Sequence, residues 1–210
     1  NMKFCTIIVT RSKSCAVKTL HTILKFNVHC IRNGAENEII FVNDDSIDKS
    51  KAIEDNITRC DRIFFIDFGI GVDEDSLEQL FKPHENIGFL VFPGVKDGVD
   101  WDMFKTKIKN EVDEPVEQMG LNFDTSVGKK ISNDIYHVKT TDAKCWFMNC
   151  KNVLNGISDK RGKFTINTKY FKQAIEKNVK IYAFTAAKLV ITYTHECISS
   201  ILNAAGVKTG

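Results

Sequence analysis

No one sign of charge dominates this chain. Its 29 lysines and arginines meet 27 aspartates and glutamates, a formal net charge of +2 over 210 residues, and the two signs alternate along the sequence. A dedicated nucleic-acid binder carries a basic stripe or block, so no nucleic-acid partner is expected. None of the 7 cysteines stands in a C-x-x-C pair, which removes a zinc ribbon. An odd number of irregularly spaced cysteines does not build a disulfide scaffold either. Cys5, Cys60, Cys145 and Cys150 lie in or beside apolar runs, where a free thiol behaves as a small hydrophobe. A reducing, cytoplasmic setting follows as the expectation.

Long apolar runs are missing too. Nothing approaches the roughly 18 residues needed to span a bilayer, and Met2 to Val9 is too short for a signal peptide. The turn after the first apolar run reads Thr10-Arg11-Ser12-Lys13-Ser14, with neither G-x-G-x-x-G nor G-K-[ST]. That disfavours a dinucleotide oxidoreductase and a P-loop enzyme. There is no internal repeat and no low-complexity tract.

What is present is an alternation of strand and helix signals. Phe4 to Thr10 is a continuous β-rich apolar run, as in a strand buried on both faces. Ser12 or Ser14 is placed to cap a helix with the stripe Val17, Leu20, Ile23, Leu24 and Val28. Glu38 to Asn43 reads as a strand, Ser46 or Asp48 opens a second helix, and Arg62 to Asp67 is the most emphatic strand of all. A short helix over Glu74 to Phe81, a strand over Ile87 to Phe92 and a helix over residues 100–112 follow. Residues 111–133 are polar and are expected to form an irregular surface loop. Strands over Ile135–Lys139 and Ala143–Asn149 are expected to run antiparallel to the rest. A helix over Thr168–Lys177, extended segments at Lys180–Phe184 and Leu189–Thr194, and a closing helix over residues 196–205 complete the reading. The 43% of hydrophobic residues suffices for a sizeable core. The order β-α-β-α-β implies a mixed, mainly parallel α/β sheet flanked by helices.

Ligands of such a sheet gather at the carboxyl ends of the strands. That rule selects Thr10-Arg11, Asn43-Asp44 and Asp67, with Lys49 and Lys51 near the start of the second helix. It sets aside Arg59 and Arg62 at the opposite rim. Asp67 ends a buried strand, where an unpaired carboxylate is costly. It is either a cation ligand or the cap of the turn that follows. Asp142 stands between two strand signals, placed either to hydrogen-bond a ligand or simply to make a turn. Trp146 reads as core, and His21, His29, His84 and His137 show no partner spacing.

Phe64-Phe65-Ile66-Asp67-Phe68-Gly69 followed by the short helix Asp75 to Phe81 resembles the GT-A family of nucleotide-sugar glycosyltransferases, whose signature is an apolar strand ending in Asp-x-Asp. Thr10-Arg11 and Asn43-Asp44 match the family's uridine-contacting edge. Tyr170 to Ile181 is similar to the helix and strand that precede its second metal segment, with His195 at the corresponding place. The likeness covers most of the chain. Its length and texture further resemble the N-terminal domain of the large chlorella-virus glycosyltransferases, for which the compartment is the host cytoplasm. The resemblance implies one catalytic domain over residues 2–210, within a longer protein. Its nucleotide-binding half covers about 2–95, and its acceptor- and metal-completing half about 96–210. It also implies a UDP-sugar donor, an oligosaccharide or glycan acceptor, and Mn²⁺ or Mg²⁺ on Asp67 and His195. Thr10, Arg11 and Asp44 would contact the uridine, and Lys51 would add positive charge.

Two departures qualify that pattern. Gly69 stands where the second aspartate belongs, while Asp73-Glu74-Asp75 spells the motif at an expected helix start, where acidic residues are favourable anyway. No carboxylate lies within residues 163–169, where inverting members place a base, so a retaining transfer with Asp142 near the donor sugar is expected. Two rivals remain: a nucleotidyltransferase, which lacks its basic glycine loop here, and a non-catalytic carbohydrate-binding or assembly module.

Overall fold

The computed structural model describes residues 1–99, 105, 106, 108–111 and 121–192. The expected helix over 100–112 falls largely outside them, and the closing helix over 196–205 and His195 fall wholly outside. The first half runs β1 (Lys3–Thr10), α1 (Val17–Arg32), β2 (Glu36–Asn43), α2 (Ser46–Asn56), β3 (Arg62–Ile66), β4 (Ile70–Val72) and α3 (Glu74–Glu78), which tightens into a 3₁₀ turn over Gln79–Phe81. Then come β5 (Phe89–Val91), β6 (Val95–Val99), β7 (Leu121–Phe123), β8 (Thr125–Ser132), β9 (Ile135–Thr141) and β10 (Cys145–Asn149). The chain continues through α4 (Cys150–Ile157), α5 (Tyr170–Glu176), β11 (Ile181–Phe184) and β12 (Leu189–Ile191).

Eight strands form one sheet in the order β2-β1-β3-β10-β5-β11-β9-β8. β1 pairs in parallel with β2 and β3, and β11 with β5. β10 runs antiparallel to β3 and β5, and β9 antiparallel to β11 and β8. The sheet is therefore mixed, with most strands pointing one way and helices on both faces. β1 and β3 read as continuous apolar runs because both of their faces are covered. On one face Phe65 stacks on Trp146 with centroids 4.8 Å apart, and Ile53 of α2 and Phe171 of α5 pack above them. On the other face Phe26 of α1 sits edge-on between Phe4 and Phe64, 5.1 Å from each.

Three expectations are corrected. The polar stretch 111–133 is not an irregular loop: residues 121–123 and 125–132 are strands. β8 is an outermost strand, exposed at most positions, so it carries no apolar run. Its backbone is satisfied by β9 across a two-residue turn, Asn133-Asp134, with Asp134 at φ 61°. The face of α1 is also different. Of the expected stripe only Ile23 is buried; the core face is Thr19, Thr22, Ile23, Phe26 and Cys30. Two threonines face inward because Thr19 Oγ1 donates to the Phe68 carbonyl at 3.1 Å and Thr22 Oγ1 accepts from the Val72 amide at 3.0 Å. Finally, neither Ser12 nor Ser14 caps α1, which starts at Ala16 without a side-chain cap. α2 is capped by Asp45, which accepts from the Ile47 and Asp48 amides, not by Ser46 or Asp48.

Arg62, set aside on the far rim, is structural: it is buried, donates to the Leu80 carbonyl and lies 5.1 Å from the Phe147 ring centroid. Beside it, burial and the Arg62 charge push His84 from 6.5 down to about 4. The folded pKa lies below the unfolded one, so the unfolded chain binds more protons in between. Stability should hold above pH about 6.5 and fall by up to about 1.4 kcal/mol per pH unit towards pH 4. His84→Leu should flatten that limb in chemical denaturation across the pH range; an unaltered limb would remove His84 as its cause.

Candidate functional site

The parallel pairing of β2, β1 and β3 brings the ends Asn43, Thr10 and Ile66 to one rim. Thr10 Oγ1 donates to the Val42 carbonyl at 3.1 Å. Asp44 is the hub: its Oδ2 accepts from Arg11 Nη2 at 2.9 Å and its Oδ1 from Lys49 Nζ at 2.8 Å. Burial pushes the Asp44 carboxyl up, but hydrogen bonds from Lys49 and Arg11 outweigh it, and the carboxyl sits below its ordinary value. Arg11 also lies over Phe68, its guanidinium carbon 4.1 Å from the ring centroid. The loop that presents Arg11 is tight: Arg11 and Ser14 exchange backbone hydrogen bonds of 3.0 and 3.1 Å. Ser12 and Lys13 both adopt positive φ, 53° and 59°. Two consecutive non-glycine residues in this conformation store strain of the kind that clusters at ligand sites.

Asp67 is 4% exposed at the end of β3. Its Oδ1 accepts from the Phe68 amide at 2.8 Å, and its own amide donates to the Lys144 carbonyl at 3.0 Å. The turn-capping role weighed for it from sequence is thus present. Gly69, in the second aspartate's place, has its carbonyl held by the Thr192 amide and hydroxyl at 2.9 and 3.0 Å. The literal Asp73-Glu74-Asp75 is engaged at a helix start: Asp73 takes the Ser76 hydroxyl and the Lys188 amide, and Glu74 meets His29 at 3.3 Å. Among the described residues no three His, Cys, Asp or Glu side chains converge to hold a metal ion.

Two clefts open on this side. The smaller, about 580 Å³, is walled by Thr10, Phe41, Asn43, Lys51 and Asp55. The larger, about 990 Å³, is walled by Lys49, Asp124, Asp142, Lys144, Lys169 and Tyr170 among others. The structure therefore brings Thr10 and Lys51 to one cleft and Asp142 to the other, with Asp44 bridging through Lys49. The Asp142 amide donates to the Asp124 carbonyl at 2.9 Å. Asp124 accepts from the Gly94 amide and the Thr125 hydroxyl, and burial pushes its carboxyl up. Burial also pushes the Tyr170 phenol up, and the charges of Asp67 and Asp142 add to that shift; Tyr170 and Asp142 line the same cleft.

Sequence reasoning missed Asp124 because it fell in the presumed loop. Tyr170 was noted only as part of a helix. Pairing of β7 and β8 with their neighbours, which local polarity does not reveal, carries Asp124 into the cleft. Asp44→Asn should cost no more than about 1 kcal/mol at pH 7, because water screens this pair. A group whose folded pKa is lowered stabilises above its ordinary range, and that stabilisation is lost as pH falls through the lowered value. The two proteins' denaturation midpoints should accordingly converge in acid.

No family profile matches the chain, and no curated protein matches it. Among solved structures it is similar to GalNAc-T7, crystallised with UDP, GalNAc and Mn²⁺. The TM-score is 0.50 at 8% identity, over 91% of this chain and 44% of the other. This fold is similar to the GT-A fold. The present chain spans less than half the length of that glycosyltransferase, and the likeness concerns architecture alone.

Proposed function

We propose that this chain is a glycosyltransferase that moves a sugar from a UDP-sugar to a hydroxyl of an oligosaccharide or glycan. One observation carries the reading: Arg11, Asp44 and the buried Asp67 gather at the carboxyl ends of β1, β2 and β3, beside a large cleft holding Asp142. Architecture similar to a UDP-bound glycosyltransferase supports it.

In this reading residues 2–210 act as one catalytic unit, and the uridine lies along Thr10, Arg11 and Asp44. The diphosphate reaches over Asp67 towards the larger cleft. A divalent ion, Mn²⁺ or Mg²⁺, would rest on Asp67 and on His195, which lies outside the described residues. Bound there, it would supply charge against the departing diphosphate. The described residues alone do not complete such a site. Lys49 and Lys144 also line the cleft and can meet the same charge, as can Lys51 from the smaller cleft. Asp142 would accept a hydrogen bond from the donor sugar and steady its reacting carbon. Transfer then breaks the bond between that carbon and the diphosphate oxygen and forms the bond to the acceptor oxygen. In the retaining route the acceptor's proton leaves with the departing phosphate oxygen. The second reading, a non-catalytic carbohydrate-binding module, is favoured by one specific feature, Gly69 in place of the second aspartate.

A panel of UDP-sugars with Mn²⁺ or Mg²⁺ should release UDP slowly without acceptor. Asp142→Asn should lower kcat on the order of a hundredfold, the scale of losing one electrostatic contact to the transition state, and Asp67→Asn should weaken UDP binding measured with metal by calorimetry. Absence of UDP release with every donor and metal would sink the transferase in favour of the binding module.

A further inference from the structure

We propose that this chain pairs with a second copy of itself through the open edge of its sheet, β2 against β2, with the two α1 helices closing over the joint. The inference is independent of the sugar-transfer reading. It starts from a contrast between the sheet's two ends, β2 and β8. β8 is protected in the usual ways: its register with β9 is interrupted three times, and it carries Lys129 and Lys130. β2 has none of these devices. It pairs with β1 over all eight residues without a bulge and contains neither lysine nor proline.

Among the described residues no strand pairs with the outer edge of β2, which leaves its outward backbone groups without a strand partner. Glu36 and Asp44 donate their amides inward, to the Met2 and Thr10 carbonyls. In a strand the amides alternate sides, so the odd-numbered residues Asn37, Ile39, Phe41 and Asn43 turn theirs to the open edge. Ile39 and Phe41 are 38% and 63% exposed. Parallel register aligns them with Thr6 and Ile8, so both project on the α1 side of the sheet, beyond the helix.

That flank of α1 is apolar too. Leu20, Leu24, Asn27 and Ile31 are spaced four, three and four residues apart and share one face. Asn27 marks the direction of that face, since its Oδ1 accepts from Asn37 Nδ2 of β2 at 3.5 Å. Leu20, Leu24 and Ile31 are 47%, 57% and 71% exposed. Five apolar side chains thus border the open edge, where isolated exposed residues would be unremarked but a contiguous set marks an interface.

The occupant follows from the strand's own complementarity. A two-fold axis normal to the sheet pairs β2 antiparallel with itself and keeps both α1 helices on one face. With Ile40 on the axis, Ile39 opposes Phe41 twice and Asn37 opposes Asn43 twice. These pairs are apolar with apolar and amide with amide, and they exchange roughly eight hydrogen bonds. Moving the axis to Ile39 sets Asn37 against Phe41. Moving it to Phe41 sets Ile39 against Asn43, and two carboxylates oppose each other near the strand ends in this register (Glu38 and Asp44) as in the Ile40-centred one (Glu36 and Asp44). Only the Ile40-centred register matches apolar with apolar and amide with amide at the hydrogen-bonded positions.

Light scattering on the purified chain at about 10 μM, a concentration suited to a micromolar dimer, should give twice 23.8 kDa. Ile39→Lys and Leu24→Glu, both at exposed positions, should retain the native circular dichroism and weaken self-association on the order of tenfold or more. Ile40→Cys should cross-link across the axis under mild oxidant, because directly opposed residues there approach to about 4.5 Å. Glu38→Cys, four residues from its own copy, should not. A monomer at tenfold higher concentration overturns the proposal. So does a dimer indifferent to Ile39→Lys, or equal cross-linking of the two cysteine variants.

Discussion

The antiparallel pairing of β10 with β3 is the constraint on which the rest of the molecule depends. β3 is buried at every position, and so it needs a partner on each side. β1 supplies one; β10, some eighty residues further along, supplies the other, with Cys145 opposite Ile66 and Trp146 opposite Phe65. The stack of Phe65 on Trp146 locks that register inside the core. Because β10 runs opposite to β3, its beginning meets the end of β3. The Asp67 amide therefore reaches the Lys144 carbonyl, and the turn that carries Asp142 arrives at the rim defined by the first half of the chain.

That arrangement also sets the electrostatics of the site. Asp124 and Asp142 line the larger cleft and Asp67 joins its wall through the Lys144 carbonyl; each has hydrogen-bonded neighbours of its own, and lysines line the same cleft. Asp44 between Arg11 and Lys49 is the tightest charge arrangement on the rim. A ligand arriving there would meet two cations already positioned by Asp44, which avoids the cost of ordering two long side chains anew.

Much of this was legible along the chain. The apolar runs of β1 and β3 are long and uninterrupted because both faces are covered, and their carboxyl ends name Thr10, Arg11 and Asp67 directly. The antiparallel sense expected for β9 and β10 also stands. α1 and β8 were misread for one reason: local hydropathy reports burial only where burial is apolar. In α1 two core positions are threonines whose hydroxyls bond to backbone groups of neighbouring segments, and several leucine and valine side chains face out. In β8 the strand is an edge, so polarity is compatible with pairing. Asp124 was hidden with it.

Sequence alone determined the layered α/β architecture, because strand runs and helix periodicity are local properties, and the carboxyl-end rule pointed to the rim proposed for a ligand. Which side chains share a cleft was decided only by tertiary structure. Strand order and register join residues far apart in sequence: Asp44 to Arg11 across 33 residues, Asp67 to Lys144 across the β3–β10 joint. Among the described residues the same packing leaves the edge of β2 and the flank of α1 uncovered.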